Sequence, residues 1–273
     1  MISKSMLDEL ILPSSSDKKT IKTNLDALQK IGDYYLVKDP LAAINLPDAV
    51  SIENKVFYRH MGFIYLPVRP EGLTPEQIIQ LGNLRAKHFN QVVDKQFVSK
   101  VYTYVYQLMS TKLTASQKRN GINLLDFGAG TGTLGKHIKY SGIDGQYGID
   151  YYAIDINPKY KQINLDPYKL YSVLADNSGM PFPDRFFDVI VSLYVFHYTI
   201  PQNHIDEIFR TLTQEGILIF NLYRPSEVHR NHVLSYIDLA GFHWQKMTFT
   251  NDSTYYGLKH APTEFYLCRK KQK

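Results

Sequence analysis

A glycine-rich run in the middle of the chain has the residue types of a ligand-binding loop. Residues 124–127 are apolar except for Asp126, and the alternating glycines Gly128, Gly130 and Gly132 follow. Glycine is favoured where the backbone takes a positive φ or approaches a ligand closely. The amphipathic segment after the run predicts a helix, whose free N–H groups can bind polar ligand groups. The run therefore predicts a strand, a nucleotide-type binding loop and a helix.

Two cofactors fit the spacing of these glycines. Gly130-x-Gly132-x-x-Gly135 satisfies the dinucleotide fingerprint, and Asp155 follows about 20 residues later, as that fingerprint expects. Asp126 distinguishes the two, because a carboxylate there repels the pyrophosphate of NAD(P). S-adenosylmethionine has no phosphate and carries an ammonium and a sulfonium, which a carboxylate attracts. The run resembles the first motif of the class I S-adenosylmethionine-dependent methyltransferases, Asp/Glu-x-Gly-x-Gly-x-Gly; a dehydrogenase and a turn without ligand are the alternatives.

Further segments resemble later motifs of this family, in the same order. Residues 151–156 and 171–177 are strand-like and contain the acids Asp155 and Asp176, which the resemblance assigns to the ribose hydroxyls and the adenine amino group. Each acid could instead cap a helix or a turn. Residues 186–220 resemble the fourth strand, the next helix and the fifth strand. The residues that the resemblance assigns to the cofactor are Asp126, Gly128, Ala129, Gly130, Gly132, Asp155, Ile156, Asp176, Asn177, Ser192 and Leu193.

Candidate catalytic residues lie past the ends of the fourth and fifth strands. His197 follows the fourth strand and could act as a general base or simply hold its loop. Tyr223 and Arg224 follow the fifth strand and could contact a polar group of the methyl acceptor, although Arg224 could also be exposed and idle. His229 and His232 share a helical face, but no third ligand accompanies them, so no metal site is predicted.

The elements that must position these residues form a three-layer α/β domain by the same resemblance. The expected fold is a seven-stranded, doubly wound, mostly parallel sheet with an antiparallel last strand, within a methyltransferase domain over residues 119–273. Asp188 is expected to close a turn before the fourth strand and is left out of the site. Strand-like patterns over residues 242–249 and 263–269 predict a C-terminal hairpin.

An N-terminal α+β extension or cap is expected over residues 1–118. It is predicted to be β-rich over residues 34–70 and helical over residues 74–111. Thr74, Pro75 and Gln77 together form a strong helix start, with Thr74 as the N-cap. The polar residues 112–120 are predicted to link the extension to the methyltransferase domain.

Composition excludes several classes of protein. The 273 residues are 44% apolar and 21% charged, as in ordinary globular proteins, and no apolar run is long enough to span a membrane. Cys268 is the only cysteine, so no intrachain disulfide is possible and a cytoplasmic location is expected. The net charge of +5 comes mostly from residues 1–118 and from a basic tail that is expected to be solvated. No basic stripe with interleaved aromatic residues is visible, which disfavours nucleic acid.

The sequence as a whole predicts a methyltransferase that acts on a small molecule. Transfer to O or N, or to C, fits the family, and the 21 Tyr and 14 Phe residues suit an aromatic or natural-product acceptor. A methyltransferase for a peptide, protein or RNA is the first alternative. A non-catalytic module that binds S-adenosylmethionine is the second. Either a monomer or a homodimer is expected.

Overall fold

The computed structural model describes residues 25–142, 147–162, 169–172 and 179–271. The chain divides into two compact units between Arg69 and Pro70, and Tyr256–Leu258 belongs with the first unit. The division lies well before residue 118, so the helices that follow Pro70 are in the same unit as the glycine loop. Among the described residues, no helix is both long and apolar enough to cross a membrane.

The first unit contains an antiparallel sheet. Its core is formed by apolar side chains such as Leu36, Ile64 and Tyr65, which are buried. The Arg59 guanidinium ties the surrounding loops together by donating to the carbonyl oxygens of Leu46 at 2.7 Å and of Gly62 at 2.8 Å. The strands, in the spatial order β1-β2-β5-β4-β3, are β1 Leu28–Ile31, β2 Tyr34–Val37, β3 Ala49–Ile52, β4 Lys55–His60 and β5 Ile64–Leu66.

The second unit begins with helices that precede its sheet. Thr74 caps the first of them through a capping box with Gln77, with Pro75 at the first helical position, so this sequence prediction is confirmed. Residues 115–120, within the predicted polar link over residues 112–120, are helical, and Thr114 and Gln117 form a second capping box. These helices are α1 Pro75–Lys87, α2 Phe89–Val92, α3 Lys95–Lys112 and α4 Ala115–Asn120.

A mixed, mostly parallel sheet organises the rest of the second unit. Its order is β11-β14-β10-β9-β6-β7-β8, and β14 alone runs antiparallel to its neighbours. The α/β class and the antiparallel last strand are therefore confirmed. The strands are β6 Ile122–Phe127, β7 Ile149–Asp155, β8 Lys169–Ser172, β9 Phe187–Ser192, β10 Leu212–Leu222, β11 Phe242–Phe249 and β14 Thr263–Lys270, with short strands β12 Thr254–Tyr255 and β13 Leu258–Lys259; the helices are α5 Thr133–Tyr140, α6 Gln202–Thr211 and α7 Glu227–Leu239.

Helices pack on both faces of this sheet because successive strand residues point to opposite sides. In β6, Leu124 faces a core shared with α3 and α5, whereas Leu125 faces a core shared with α6 and α7. Asp188 fastens the start of β9 to β6 by accepting hydrogen bonds from the Asn123 backbone N–H and the Gln117 side-chain amide, both at 3.1 Å. This carboxylate is structural, as the sequence predicts.

Two residues of the basic tail, Arg269 and Lys270, belong to the sheet, which corrects the expectation of a solvated terminus for these two. Lys270 is 8% exposed, donates to the Leu212 carbonyl oxygen at 2.6 Å and lies over the Phe209 ring. Arg269 donates to the Lys112 carbonyl oxygen at 2.6 Å. The difference arises because β14 continues through Lys270, so the aliphatic stem is buried while the ammonium satisfies a carbonyl. Residue 273 lies outside the described part of the chain.

Candidate functional site

The glycine loop connects β6 to α5 at the carboxyl ends of the parallel strands, where α/β sheets bind ligands. The N–H groups of Gly128 and Ala129 donate to the Ile154 carbonyl oxygen at 2.8 and 3.1 Å, which joins the loop to β7. Gly128 and Gly130 have φ values of +78° and +55°. A Cβ atom on Gly128 would lie 2.3 Å from Val195 Cγ2. The loop therefore needs glycine both for its backbone angles and for its closeness to the residues after β9.

Asp155 ends β7 and is bonded to the glycine loop. Its Oδ2 atom accepts the Gly130 N–H at 2.7 Å, and its Oδ1 atom accepts the Asn157 N–H at 2.8 Å. The residue is 8% exposed. Burial raises the pKa of Asp155, and the N–H groups of Asn157 and Gly130 and the charge of Arg85 act against that rise. Each oxygen makes one of these bonds, so each keeps a lone pair for a ligand hydroxyl.

Asp126 is the second buried acid of the site. It is 4% exposed, and its Oδ2 atom accepts the Tyr151 hydroxyl at 2.5 Å. Burial raises the pKa of Asp126 to about 7; the Tyr151 hydrogen bond lowers it, and the charge of Asp155 raises it further. Gly135 leaves room for Tyr151, because a Cβ atom there would lie 2.8 Å from the tyrosine ring. A cation beside Asp126 would favour its ionised form.

The ends of β9 and β10 meet beside the glycine loop. Ser192 is fully buried, and its hydroxyl donates to the Phe127 carbonyl oxygen at 2.9 Å. Tyr194 has a φ of +58°, a conformation that is uncommon for a residue other than glycine. Its N–H donates to the Asn221 Oδ1 atom at 2.6 Å, which holds this turn. Within the described part of the chain, the buried Tyr194 hydroxyl and Asn221 Nδ2 have no hydrogen-bond partner. Leu193 packs against the core on the α3 side.

The residues predicted for catalysis follow these two strands. His197 is 1% exposed, and its ring lies 4.1 Å from that of Tyr198, centroid to centroid. Tyr223 meets the Tyr194 ring edge-on at 6.2 Å, and Arg224 is exposed with its guanidinium over the Tyr223 ring. The structure thus places Tyr223 near the turn after β9, whereas His197 is enclosed by protein.

The structure describes some of the other predicted residues and not others. Ile156 follows Asp155 and is half-buried. Asp176 and Asn177 lie outside the described residues. His229 Nε2 is 2.9 Å from the Phe196 carbonyl oxygen, and the His232 ring packs on Tyr236. In the described ranges no three histidine, cysteine or acidic side chains are grouped as metal ligands would be.

Helix α1 contributes residues that the sequence interpretation missed. The Asn83 Oδ1 atom accepts from Asn157 Nδ2 at 3.0 Å, and Arg85 forms a hydrogen bond with the hydroxyl of the buried Tyr198. The hydroxyl oxygen of Tyr102, in α3, lies 2.5 Å from the hydroxyl oxygen of Thr133 at the start of α5. Asn157 could have been found from its position after Asp155. Nothing in the local sequence of α1 points to the site.

The comparisons with known proteins agree with this geometry. Residues 125–220 match the family model described as "Methyltransferase domain". No curated protein sequence matches the chain significantly. Among solved structures, the CurJ carbon methyltransferase is 20% identical, with 73% of this chain and 62% of that chain covered and a TM-score of 0.50. A SAM-dependent methyltransferase from Aquifex aeolicus is 15% identical, with coverages of 72% and 98% and a TM-score of 0.47. The [4+2]-cyclase SpnF is 19% identical, with coverages of 65% and 77% and a TM-score of 0.45.

At these identities, likeness to a solved structure concerns the fold and does not by itself assign an activity. The family match is more specific, because it spans the glycine loop, Asp155 and the turn after β9. Residues 125–220 thus match a methyltransferase domain, and S-adenosylmethionine is the cofactor of that domain.

Proposed function

We propose that this protein transfers a methyl group from S-adenosylmethionine to an oxygen or nitrogen atom of a small-molecule acceptor. The observation that carries the cofactor assignment is the pair of hydrogen bonds that Asp155 accepts from Gly130 and Asn157. They fix a buried carboxylate at the end of β7 with lone pairs left for two hydroxyl groups. A ribose offers two adjacent hydroxyls, so the donor set fits the nucleoside of the cofactor.

The other end of the cofactor suits the glycine loop. S-adenosylmethionine, when bound, supplies a methyl group on a positively charged sulfur. Asp126 would receive the ammonium, since a nearby positive charge stabilises a buried carboxylate. The positive φ of Gly128 and Gly130 would let the loop backbone approach the ligand closely. We assign Ala129, Gly132, Ile156, Ser192 and Leu193 to the same cofactor site, and Asp176 and Asn177 to the adenine.

The protein's main task is then to align the acceptor. Proximity and orientation supply on the order of 7–11 kcal/mol in favourable intramolecular models. We assign Tyr223 and Arg224 to the polar group of the acceptor, because they follow β10 and lie on the side of Tyr194. His197 would take a proton from an acceptor that must lose one.

The remaining assignments concern the whole chain. We assign residues 1–118 to a cap and residues 119–273 to the methyltransferase domain, although the compact units divide at Pro70. The seven-stranded, doubly wound arrangement of the family is supported by the helices on both faces of the sheet. A cytoplasmic monomer or homodimer is part of the same proposal. A peptide, protein or RNA acceptor is the alternative function.

Calorimetric titration with S-adenosylhomocysteine and with NAD tests the cofactor site. We expect micromolar affinity for S-adenosylhomocysteine and none for NAD. Asp155→Ala should weaken binding at least tenfold, which is about 1.4 kcal/mol or more. Asp150→Ala, an exposed position on the same strand, is the matched control and should bind like the wild type. Failure of the folded wild type to bind S-adenosylhomocysteine would contradict the proposal.

A further inference from the structure

Tyr151 of β7 connects the start of helix α5 to a buried acid of the candidate site. Its hydroxyl donates to the Asp126 Oδ2 atom at 2.5 Å, and the residue is 3% exposed. The same hydroxyl oxygen accepts the backbone N–H of Gly135. Because that bond uses a lone pair of the phenol, the phenolic hydrogen remains for the carboxylate. The three groups therefore form a chain of hydrogen bonds from a backbone N–H through a phenol to Asp126.

The Gly135 N–H belongs to the first turn of α5, where a helix has no partners of its own for its N–H groups. The residue before this helix is Gly132, which has no side chain to cap it. These first N–H groups carry a partial positive charge. Tyr151 supplies a partner for one of them from the next strand along the chain, and linked hydrogen bonds polarise one another. The helix start therefore strengthens the bond that Tyr151 donates to Asp126.

Gly135 is also the residue that leaves space for this arrangement. A Cβ atom there would lie 2.8 Å from the Cε1 and Cζ atoms of Tyr151, so a larger residue would displace the ring. The third glycine of the run thus lets the phenol come within hydrogen-bonding distance of Asp126.

The other titratable groups around Asp126 do not orient it. They are Asp155 on β7, whose charge repels that of Asp126, and Tyr102 on α3, whose hydroxyl is paired with Thr133. Across the described residues, Tyr151 is the one side chain that donates a hydrogen bond to this carboxylate. The bond fixes the Oδ2 atom and leaves the Oδ1 atom to a ligand.

We propose that Tyr151 is a positioning residue for the cofactor, because it holds Asp126 so that the second carboxylate oxygen receives the ammonium group of S-adenosylmethionine. This inference rests on the cofactor site proposed above and adds a residue that acts through Asp126. A hydrogen bond to the ionised form of an acid favours that form. The phenol therefore keeps the carboxylate charged as well as oriented, and both effects strengthen the attraction for an ammonium group.

Two ligands separate the ammonium group from the rest of the cofactor. S-adenosylhomocysteine carries this group, whereas 5′-methylthioadenosine has the same nucleoside and thioether without it. In calorimetry at pH 7, we expect Tyr151→Phe to weaken S-adenosylhomocysteine binding about fivefold or more and to change 5′-methylthioadenosine binding less than about twofold. Tyr152→Phe removes a phenol from the opposite face of the same strand and should leave both affinities unchanged. Gly135→Ala, which displaces the Tyr151 ring, should reproduce the selective loss.

The pH dependence of binding distinguishes a positioning role from a general loss of structure. The Tyr151 hydrogen bond lowers the pKa of Asp126, so this pKa rises when the phenol is removed. As the solution is acidified, the affinity of Tyr151→Phe for S-adenosylhomocysteine should therefore begin to fall about one pH unit earlier than that of the wild type. The difference between the two proteins should be larger at pH 6.5 than at pH 8.5.

A double variant tests whether Tyr151 acts through Asp126. In an Asp126→Asn background, Tyr151→Phe should not weaken S-adenosylhomocysteine binding further. Thermal unfolding without ligand checks that each variant is folded. Equal losses for both ligands, no loss for S-adenosylhomocysteine, an unchanged pH profile, or a full further loss in the Asp126→Asn background would overturn the role of Tyr151. A wild type that binds neither ligand would instead overturn the proposed cofactor site.

Discussion

The two buried carboxylates of the site have different hydrogen-bond partners, although each belongs to a strand of the same sheet. Asp155 accepts two backbone N–H groups, which favour its ionised form. Asp126 accepts the phenol of Tyr151, and burial dominates its titration. Without a bound cation, the ionised form of Asp126 therefore destabilises the folded protein more than that of Asp155. The protonation of Asp126 should consequently make the free energy of unfolding depend on pH.

Asp126→Asn should remove a pH dependence of stability. The pKa of Asp126 rises from 3.8 to about 7 on folding, so between these values the folded state holds a proton that the unfolded state has lost. The free energy of unfolding of the wild type then falls as pH rises through this window. Relative to the variant, the wild type should lose about 2.5 kcal/mol between pH 5 and pH 8, at up to about 1.4 kcal/mol per pH unit.

Urea unfolding of both proteins at pH 5 and pH 8, without ligand, measures this difference. Asp150→Asn, at an exposed position, controls for the loss of a carboxylate and should show no such trend. A wild-type-minus-variant difference that is the same at both pH values would show that Asp126 is already ionised at pH 5.

Single residues of the site were predictable where local sequence carries their role. Asp126 and Asp155 each lie at the end of an apolar run, and glycines follow Asp126, so the position of both acids at the carboxyl edge follows from the pattern. Arg85 was not predictable, because its helix has no motif and reaches the site only through tertiary packing. Tyr151 was read as part of a strand, and only the structure shows that its hydroxyl bonds to Asp126.

At the scale of elements, the strand–loop–helix unit around Gly128 depends on two separate constraints. Gly128 and Gly130 both have positive φ, but only Gly128 also meets a neighbour, the Val195 side chain. No atom lies within 4 Å of a Cβ atom placed on Gly130. Alanine at Gly130 therefore introduces backbone strain alone, whereas alanine at Gly128 introduces strain and a collision with a stiff, β-branched side chain.

Gly128→Ala should consequently destabilise the protein more than Gly130→Ala. Positive φ costs about 1–2 kcal/mol for an L-residue, and overpacking adds about 1–3 kcal/mol at Gly128. In the Gly128→Ala background, Val195→Ala should recover part of the stability lost to overpacking. The same change should not stabilise the Gly130→Ala protein. Urea denaturation of the four variants tests this; equal losses for the two glycines would mean that the loop moves away from Val195 at little cost.

Helices with a clear capping box or helical spacing of apolar residues were predictable. A capping box among polar residues was not recognised. The capping box at Thr74 and Gln77 gave the start of α1, and the helical spacing of Phe97, Val101 and Val105 gave α3. The same box at Thr114 and Gln117 was overlooked, because the polar residues around it suggested a linker. The antiparallel direction of the last strand, β14, came from the family resemblance, since strand pairing is a non-local property.

At the scale of the whole molecule, the basic residues of the C-terminus that the structure describes do not form a nucleic-acid surface. Lys270 and Arg269 donate to carbonyl oxygens within the second unit, and Lys271 lies 3.9 Å from Asp238. Most of the remaining excess of basic residues is in residues 1–118. This distribution favours a small-molecule acceptor over RNA, because RNA binding requires clustered cations along the backbone path.

Direct RNA binding therefore separates the two acceptor classes. We expect a mixed-sequence single-stranded RNA to bind only weakly, with non-specific affinity that disappears between 50 mM and 200 mM salt. Fluorescence anisotropy at both salt concentrations, with and without S-adenosylhomocysteine, measures this. Affinity that persists at 200 mM salt and increases with the cofactor product would contradict the small-molecule assignment, because binding would then involve contacts beyond simple charge attraction. Lys271→Ala should not alter the result, since the negative charge of Asp238 lies 3.9 Å from this lysine.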